Sequence, residues 1–164
     1  MPVRTLRRAV VLTISGAAVG MVVGGCSGDD DKRPATDLGD DGAGVCLDVT
    51  DDVGPEIVDL PVVDCDAPHT HEIYAVVESS AETYPGFDAL EDEAQVACLT
   101  AFEPYVEISP FDSTLFYSWM VPTLASWEDP DLGDGGERGD REIICVLGDR
   151  DGEALTGSMR GTGR

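Results

Sequence analysis

"DALEDEAQVACLTAFEPYV", Asp88 to Val106, is the stretch on which the fold turns. Leu90, Ala94, Ala97, Cys98, Ala101 and Phe102 recur at helical intervals, with Glu91, Asp92, Glu93 and Gln95 on the other side. Asp88 and Glu91 have the spacing of a capping box, which starts the helix there. Pro104 lacks the N–H that would carry the ladder onward, so the helix is expected to end near Glu103. This places Cys98 on the buried face. "EIICVLG", Glu142 to Gly148, is short, continuously apolar and β-branched, the signature of a central strand, and it carries Cys145.

Working outward, "EIVDLPVVDC" and "HEIYAVVES" each read as a strand, with Ile57, Val58, Val62 and Val63 apolar in the first region. In the second, Ile73, Ala75 and Val77 alternate onto one face. "STLFYSWMVP" alternates again, Leu115, Tyr117, Trp119 and Val121 opposing Phe116, Ser118 and Met120. "TLASW" after Pro122 is expected to form one helical turn capped by Thr123, and "DPDLGDGGERGDR" a loop. Strands around one good helix give an α+β domain: a small, mainly antiparallel sheet covered on one face by one main helix.

The N-terminus places this domain. Arg4, Arg7 and Arg8 precede an uncharged run from Ala9 to Val23, and Gly24-Gly25 precede Cys26, which is the order of a secretory signal peptide. The run has 15 residues, short of the ~20 that span a bilayer as a helix. "VGGC", Val23 to Cys26, resembles the lipobox of bacterial lipoproteins, whose cysteine takes a diacylglyceryl group and becomes the mature N-terminus. One acyl chain holds a protein marginally, whereas the two or three implied by the resemblance, palmitate included, make a durable anchor. Arg7-Arg8 before Ala9-Val10-Val11 also looks like a twin-arginine signal. Residues 1–25 are therefore expected to leave as signal peptide. Residues 26–44 are expected to form the lipidated end and a disordered acidic tether with too few aliphatic side chains to bury, and residues 45–160 the domain.

The chain has 33 acidic and 10 basic residues, a formal net charge of −23 that becomes −26 once the three leader arginines are gone. No Lys or Arg lies between Pro34 and Glu137. Such a surface repels phosphate backbones, so no nucleic-acid partner is expected, while cations or a basic partner are attracted. Apart from Cys26, the cysteines are Cys46, Cys65, Cys98 and Cys145, an even number in an exported chain, and two disulfides follow. Three connectivities are open. A helix packed on a sheet with a cysteine on each contacting surface suggests Cys98 with Cys145, leaving Cys46 with Cys65. No pair has the C-x-x-C spacing of a zinc or redox site.

Several constellations carry residue types capable of chemistry. His69 and His71 would alternate onto one face of a strand and could hold zinc or copper with Asp64, Asp66 or Glu72; the structural reading makes Pro68-His69 a turn whose imidazole bonds backbone groups. Asp129, Asp131, Asp134 and Glu137 approach the oxygen spacing of a calcium loop without its twelfth-position glutamate, and Asp149 to Glu153 is a second acidic turn. Tyr117, Trp119 and Trp127 are a stacking platform for sugars or peptides, or core packing, the commoner fate of alternating aromatics. No nucleophile elbow, zinc-protease motif or phosphate loop occurs. The expectation is no catalytic residue, no cofactor and no metal.

"VVDCDAPHTHEIYAVV", "YPGFDALEDEAQVACLTAF", "SWMVPTLASWED", "GDREIICVL" and "LTGSM" together resemble the septum formation domain of actinobacterial secreted and membrane proteins, over about Val45 to Met159. Its distinctive pieces are Cys65, Pro68 and His69, then Tyr84-Pro85-Gly86 before the helix, then Pro122 with Ser126-Trp127. The resemblance implies a link to cell division or envelope assembly and no particular chemistry. The function expected is that of a non-catalytic lipoprotein on the outer face of the cell membrane, held by Cys26, whose domain binds or organises an envelope protein or peptidoglycan. The alternatives are a cell-wall hydrolase or its accessory subunit, and a weak extracellular calcium-binding protein.

Overall fold

The run from Glu142 forms an interior strand of the sheet, paired along both edges. The computed structural model describes residues 32–34, 42–49, 59–131 and 138–164. The leader, Cys26, Ile57, Val58, Asp134 and Glu137 lie outside the described residues. In chain order the elements are β1 (Lys32–Pro34), β2 (Val45–Leu47), β3 (Asp59–Val63), β4 (His71–Glu78), α1 (Phe87–Val106), β5 (Leu115–Met120), α2 (Leu124–Glu128) and β6 (Glu142–Asp149). The strands pair antiparallel throughout, in the order β1-β3-β2-β4-β6-β5, with α1 packed on one face. Three residues of the stretch read as a tether, Lys32 to Pro34, pair with β3 at the sheet edge.

Both disulfides suggested by the helix-on-sheet argument are present. Cys98 of α1 joins Cys145 of β6 with 5.4 Å between Cα atoms, and Cys46 of β2 joins Cys65 with 5.2 Å. The main core lies between sheet and helix: Ala94, Cys98, Phe102 and Val106 meet Leu115, Ile143, Cys145 and Leu147, all fully buried. The opposite face is not bare, as a sheet covered on one side would have it. Leu47, Leu60, Ile73, Ile144 and Val146 form a second buried cluster there, which is why β6 is apolar at consecutive positions rather than alternate ones.

Two local expectations are corrected. The first concerns α1, which starts at Phe87 after Gly86 rather than at an Asp88 capping box and runs through Pro104 to Val106. Gly86 has φ 98, a conformation that suits glycine, and no side chain caps the helix start. Pro104 falls in the last turn, where it forfeits a single backbone bond, and burial of Tyr105 and Val106 carries the helix past it. Glu107, left-handed at φ 68, then closes the helix with its N–H on the Glu103 carbonyl.

The second correction concerns β4. Ile73 pairs with Val146 and Ala75 with the adjacent Cys145, so Tyr74 is an extra residue, a β-bulge. The bulge breaks the expected Ile73, Ala75, Val77 alternation: Ile73 points into the second cluster, whereas Tyr74, Ala75 and Val77 face α1. Tyr74 fixes the bulge by donating its hydroxyl to the Cys98 carbonyl at 2.8 Å. Elsewhere the periodicity holds. Leu115, Tyr117, Trp119 and Val121 share the helix side, and Thr123 caps α2 through a reciprocal pair with Ser126.

Gly148 marks where the sheet is tightest. It pairs with His71 on one side and Phe116 on the other, and a Cβ there would come within 2.7 Å of the Phe116 ring and 3.1 Å of the Thr70 carbonyl. Gly148→Ala is expected to turn Phe116 away from its edge-on contact with His71 and cost about 1–3 kcal/mol, read as a lowered denaturation midpoint. An unchanged midpoint would show that the ring moves freely.

Candidate functional site

The chemistry-bearing side chains converge where β4 begins. Glu72 lies directly across from Cys46 in the β2–β4 pairing, so both side chains project from the same face. Upstream of the bulge that face is the one covered by α1, and Glu72 is fully buried. Its Oε1 accepts from the Tyr105 hydroxyl at 2.5 Å and the Ser158 hydroxyl at 2.6 Å, and its Oε2 accepts from the Met159 N–H at 2.7 Å. Three donors replace the water that a buried carboxylate has lost.

His69 stands just before this strand. Its backbone forms a two-bond bridge with Leu155, the N–H donating at 3.0 Å and the carbonyl accepting at 2.8 Å. The imidazole Nδ1 lies 2.9 Å from the Ala67 carbonyl, an acceptor alone, so Nδ1 carries the proton and Nε2 keeps its lone pair. Nε2 is buried and has no hydrogen-bond partner among the described residues. A ring nitrogen of His69, the Cys46 sulfur and a Glu72 oxygen lie within 4.8 Å of one another. The turn reading of His69 thus holds for one nitrogen and leaves the other unexplained.

His71 does not join His69. It lies on the opposite face of the sheet, edge-on to Phe116 at 5.8 Å, with Nδ1 2.9 Å from the Thr70 hydroxyl, and burial holds its pKa below the usual 6.5. The alternative in which His69 and His71 together hold zinc or copper is therefore not assembled, and Asp64 and Asp66 are exposed. Of the acidic turns, Asp149 is occupied: it accepts from the Asp151 and Glu153 N–H groups and pairs with Arg164 at 2.8 Å. Asp129 accepts from the Asp131 N–H within its own turn.

The aromatics belong to the core. Trp127 is buried under the Arg141 guanidinium, 3.7 Å from the ring centroid, while Tyr117 and Trp119 pack against the helix-side cluster. The C-terminal segment straps over the end of α1. The N–H groups of Gly157, Gly161 and Gly163 donate to the carbonyls of Cys65, Tyr105 and Val106, and the Ser113 hydroxyl donates to the Arg164 carbonyl. Tyr105 and Ser158, which complete the Glu72 cluster, are absent from the sequence reading. Tyr105 sat beyond the expected helix end, and Ser158 carries no periodic signal.

Burial, followed by the hydrogen bond to Glu72, pushes the Tyr105 phenol up from 10.0 to about 12. Burial pushes Tyr74 up as well. Because the folded state raises these values, their contribution to stability is complete below pH 10 and is lost as pH rises through the folded pKa. A stability profile from pH 9 to 12 should fall over that window, together with phenolate absorbance. Tyr105→Phe should flatten the fall. On the acid side Glu93 behaves oppositely. Partial burial raises its pKa, but bonds from the Ser79 hydroxyl, the Ser80 N–H and the Ser80 hydroxyl outweigh it and hold the carboxyl below 4.5. Its contribution is present above 4.5 and is lost as pH falls through the lowered value.

Among the described residues no helix is long and apolar enough to cross a membrane. A family model described as septum formation matches residues 39–145, a span that holds all four disulfide cysteines with His69, Glu72 and Tyr105. The match ends at the last cysteine strand, short of the "LTGSM" segment. No curated protein and no solved structure gives a significant match.

Proposed function

The chain belongs to the septum formation family, and on that footing we propose that it is a non-catalytic surface lipoprotein, anchored through Cys26, whose domain binds a cell-envelope component where the septum forms. Membership ties the chain to septum formation in general; anchor, location and binding mode are the proposal. The observation that carries it is the match over residues 39–145, which takes in β2 to β5, α1, the start of β6 as far as Cys145, and both disulfides.

An exposed contact point supports binding as the mode of action. Phe111 is 82% exposed, yet it stands on a braced loop. The Arg150 side chain donates to the carbonyls of Pro110, Ser113 and Leu115, and the Asp112 and Ser113 N–H groups close on the Ser109 carbonyl. A large apolar side chain presented on a braced backbone spares a partner the entropy cost of ordering the loop when it covers the ring. The acidic surface favours a partner with basic groups around that contact.

The test is imaging of the tagged full-length chain in dividing cells. The wild type should concentrate at the septum, Cys26→Ala should be released from the cells, and Phe111→Ser should remain membrane-bound but lose most of its septal enrichment. A wild-type signal spread evenly around the envelope would overturn the septal reading, and full enrichment of Phe111→Ser would overturn the contact.

A further inference from the structure

We propose that the Cys46–Cys65 disulfide masks a zinc site, and that its reduction by a dithiol creates a centre in which Cys46, Cys65, His69 and Glu72 bind one thiophilic divalent cation. The inference rests on the geometry beneath the first disulfide and is independent of the septal reading. Cys46 Sγ, a His69 ring nitrogen and a Glu72 oxygen already lie within 4.8 Å of one another. Ligands of a tetrahedral zinc, at about 2.0–2.3 Å from the metal, stand about 3.4–3.8 Å apart, so the three need to close by roughly 1 Å.

Each ligand is prepared for that role. His69 uses Nδ1–H on the Ala67 carbonyl and leaves the Nε2 lone pair buried and unpartnered, the orienting arrangement common to metal-binding histidines. On Glu72, Oε1 takes two donors but Oε2 takes one, leaving Oε2 a lone pair for a metal. Tyr105, Ser158 and Met159 fix the carboxylate from behind. Cys65 Sγ is bonded to Cys46 Sγ, so it starts at the edge of the cluster.

The disulfide is placed to open selectively. Cys65 is partly exposed, whereas Cys98 and Cys145 are fully buried. A dithiol's thiolate attacks Cys65 sulfur, breaking the bond to Cys46 and expelling the Cys46 thiolate beside His69 and Glu72. The reductant's second thiol attacks the mixed disulfide, releasing the Cys65 thiolate. Two electrons have then passed to the protein, and the reductant leaves as its own disulfide. Zinc binding displaces the protons that the two thiols would otherwise hold.

The test uses the full chain, treated briefly with dithiothreitol, desalted under nitrogen and checked by mass for a gain of two hydrogens per opened disulfide. Titration with Co²⁺ should then give thiolate-to-cobalt charge-transfer absorption saturating at one ion per chain and abolished by Zn²⁺. The oxidised protein should show none, and His69→Asn should bind at least tenfold more weakly. Cys65→Ser frees the Cys46 thiol while keeping Cys98–Cys145 intact, and should show a weaker band without reductant. Absence of the band in both the reduced wild type and Cys65→Ser would overturn the proposal. So would a band that survives His69→Asn undiminished, since surface acids and stray thiols would then account for it.

Discussion

Replacing Cys98 and Cys145 together with alanine will cost about 4 kcal/mol of folding stability, because the 47-residue separation they close is the longer of the two cross-linked loops. A domain of this size has about 5–15 kcal/mol in total, so the variant sits near the limit of folding at physiological temperature. The bond joins the centre of α1 to the centre of β6, the two surfaces that make the main core. In denaturant titration the midpoint should fall and the slope rise, since the unfolded chain is no longer held together. The Cys46–Cys65 loop spans 19 residues, and its loss should cost about 3 kcal/mol. Partial reduction should open Cys46–Cys65 first. Prior reduction of Cys98–Cys145 would mean that the core is more accessible than its burial implies.

Glu72→Ala will cost about 3–5 kcal/mol, because it strands the Tyr105 hydroxyl, the Ser158 hydroxyl and the Met159 N–H in a buried site. Each orphaned donor is worth about 1–3 kcal/mol, and the total is smaller than the sum because Ser158 is only part-buried and can turn to water. The damage should be local before it is global. The strap from Leu155 to Arg164 should lose hydrogen-exchange protection at Met159 well before β6 does. Glu72→Gln keeps an acceptor oxygen and should cost less than half as much. In both variants the Tyr105 phenol should titrate closer to 10, since both remove the Glu72 charge that raises it and Glu72→Ala removes the hydrogen bond as well. A Glu72→Ala loss under about 1 kcal/mol would show that water already serves these donors.

Much of this architecture is legible in the sequence, and the failures have specific causes. The apolar run at Ile143 to Leu147 and the helical spacing from Leu90 to Phe102 are strong periodic signals, and together they bring Cys98 to Cys145. Pro104 misleads because a proline's cost to the helix is local and visible in sequence, whereas the burial of Tyr105 and Val106 that offsets it is tertiary. The bulge at Tyr74 is invisible to an alternation count, since one extra residue exchanges the faces of everything before it. That single residue turns Glu72 inward, so a glutamate that alternation assigns to the outer face becomes the most buried carboxylate of the site. His69 and Glu72 appeared together in the sequence reading among the metal alternatives, but with His71 as the partner. The fold substitutes Cys46, which only the β2–β4 register brings alongside.

An exported, anchored and oxidised module is what we propose, and the intact mass of the membrane-extracted protein, with and without reduction, tests that most directly. A mass equal to residues 26–164 plus a diacylglyceryl group or more, rising by four hydrogens when both disulfides are reduced, is the predicted result. An unlipidated mass that retains residues 1–25, or one that does not rise on reduction, would contradict it.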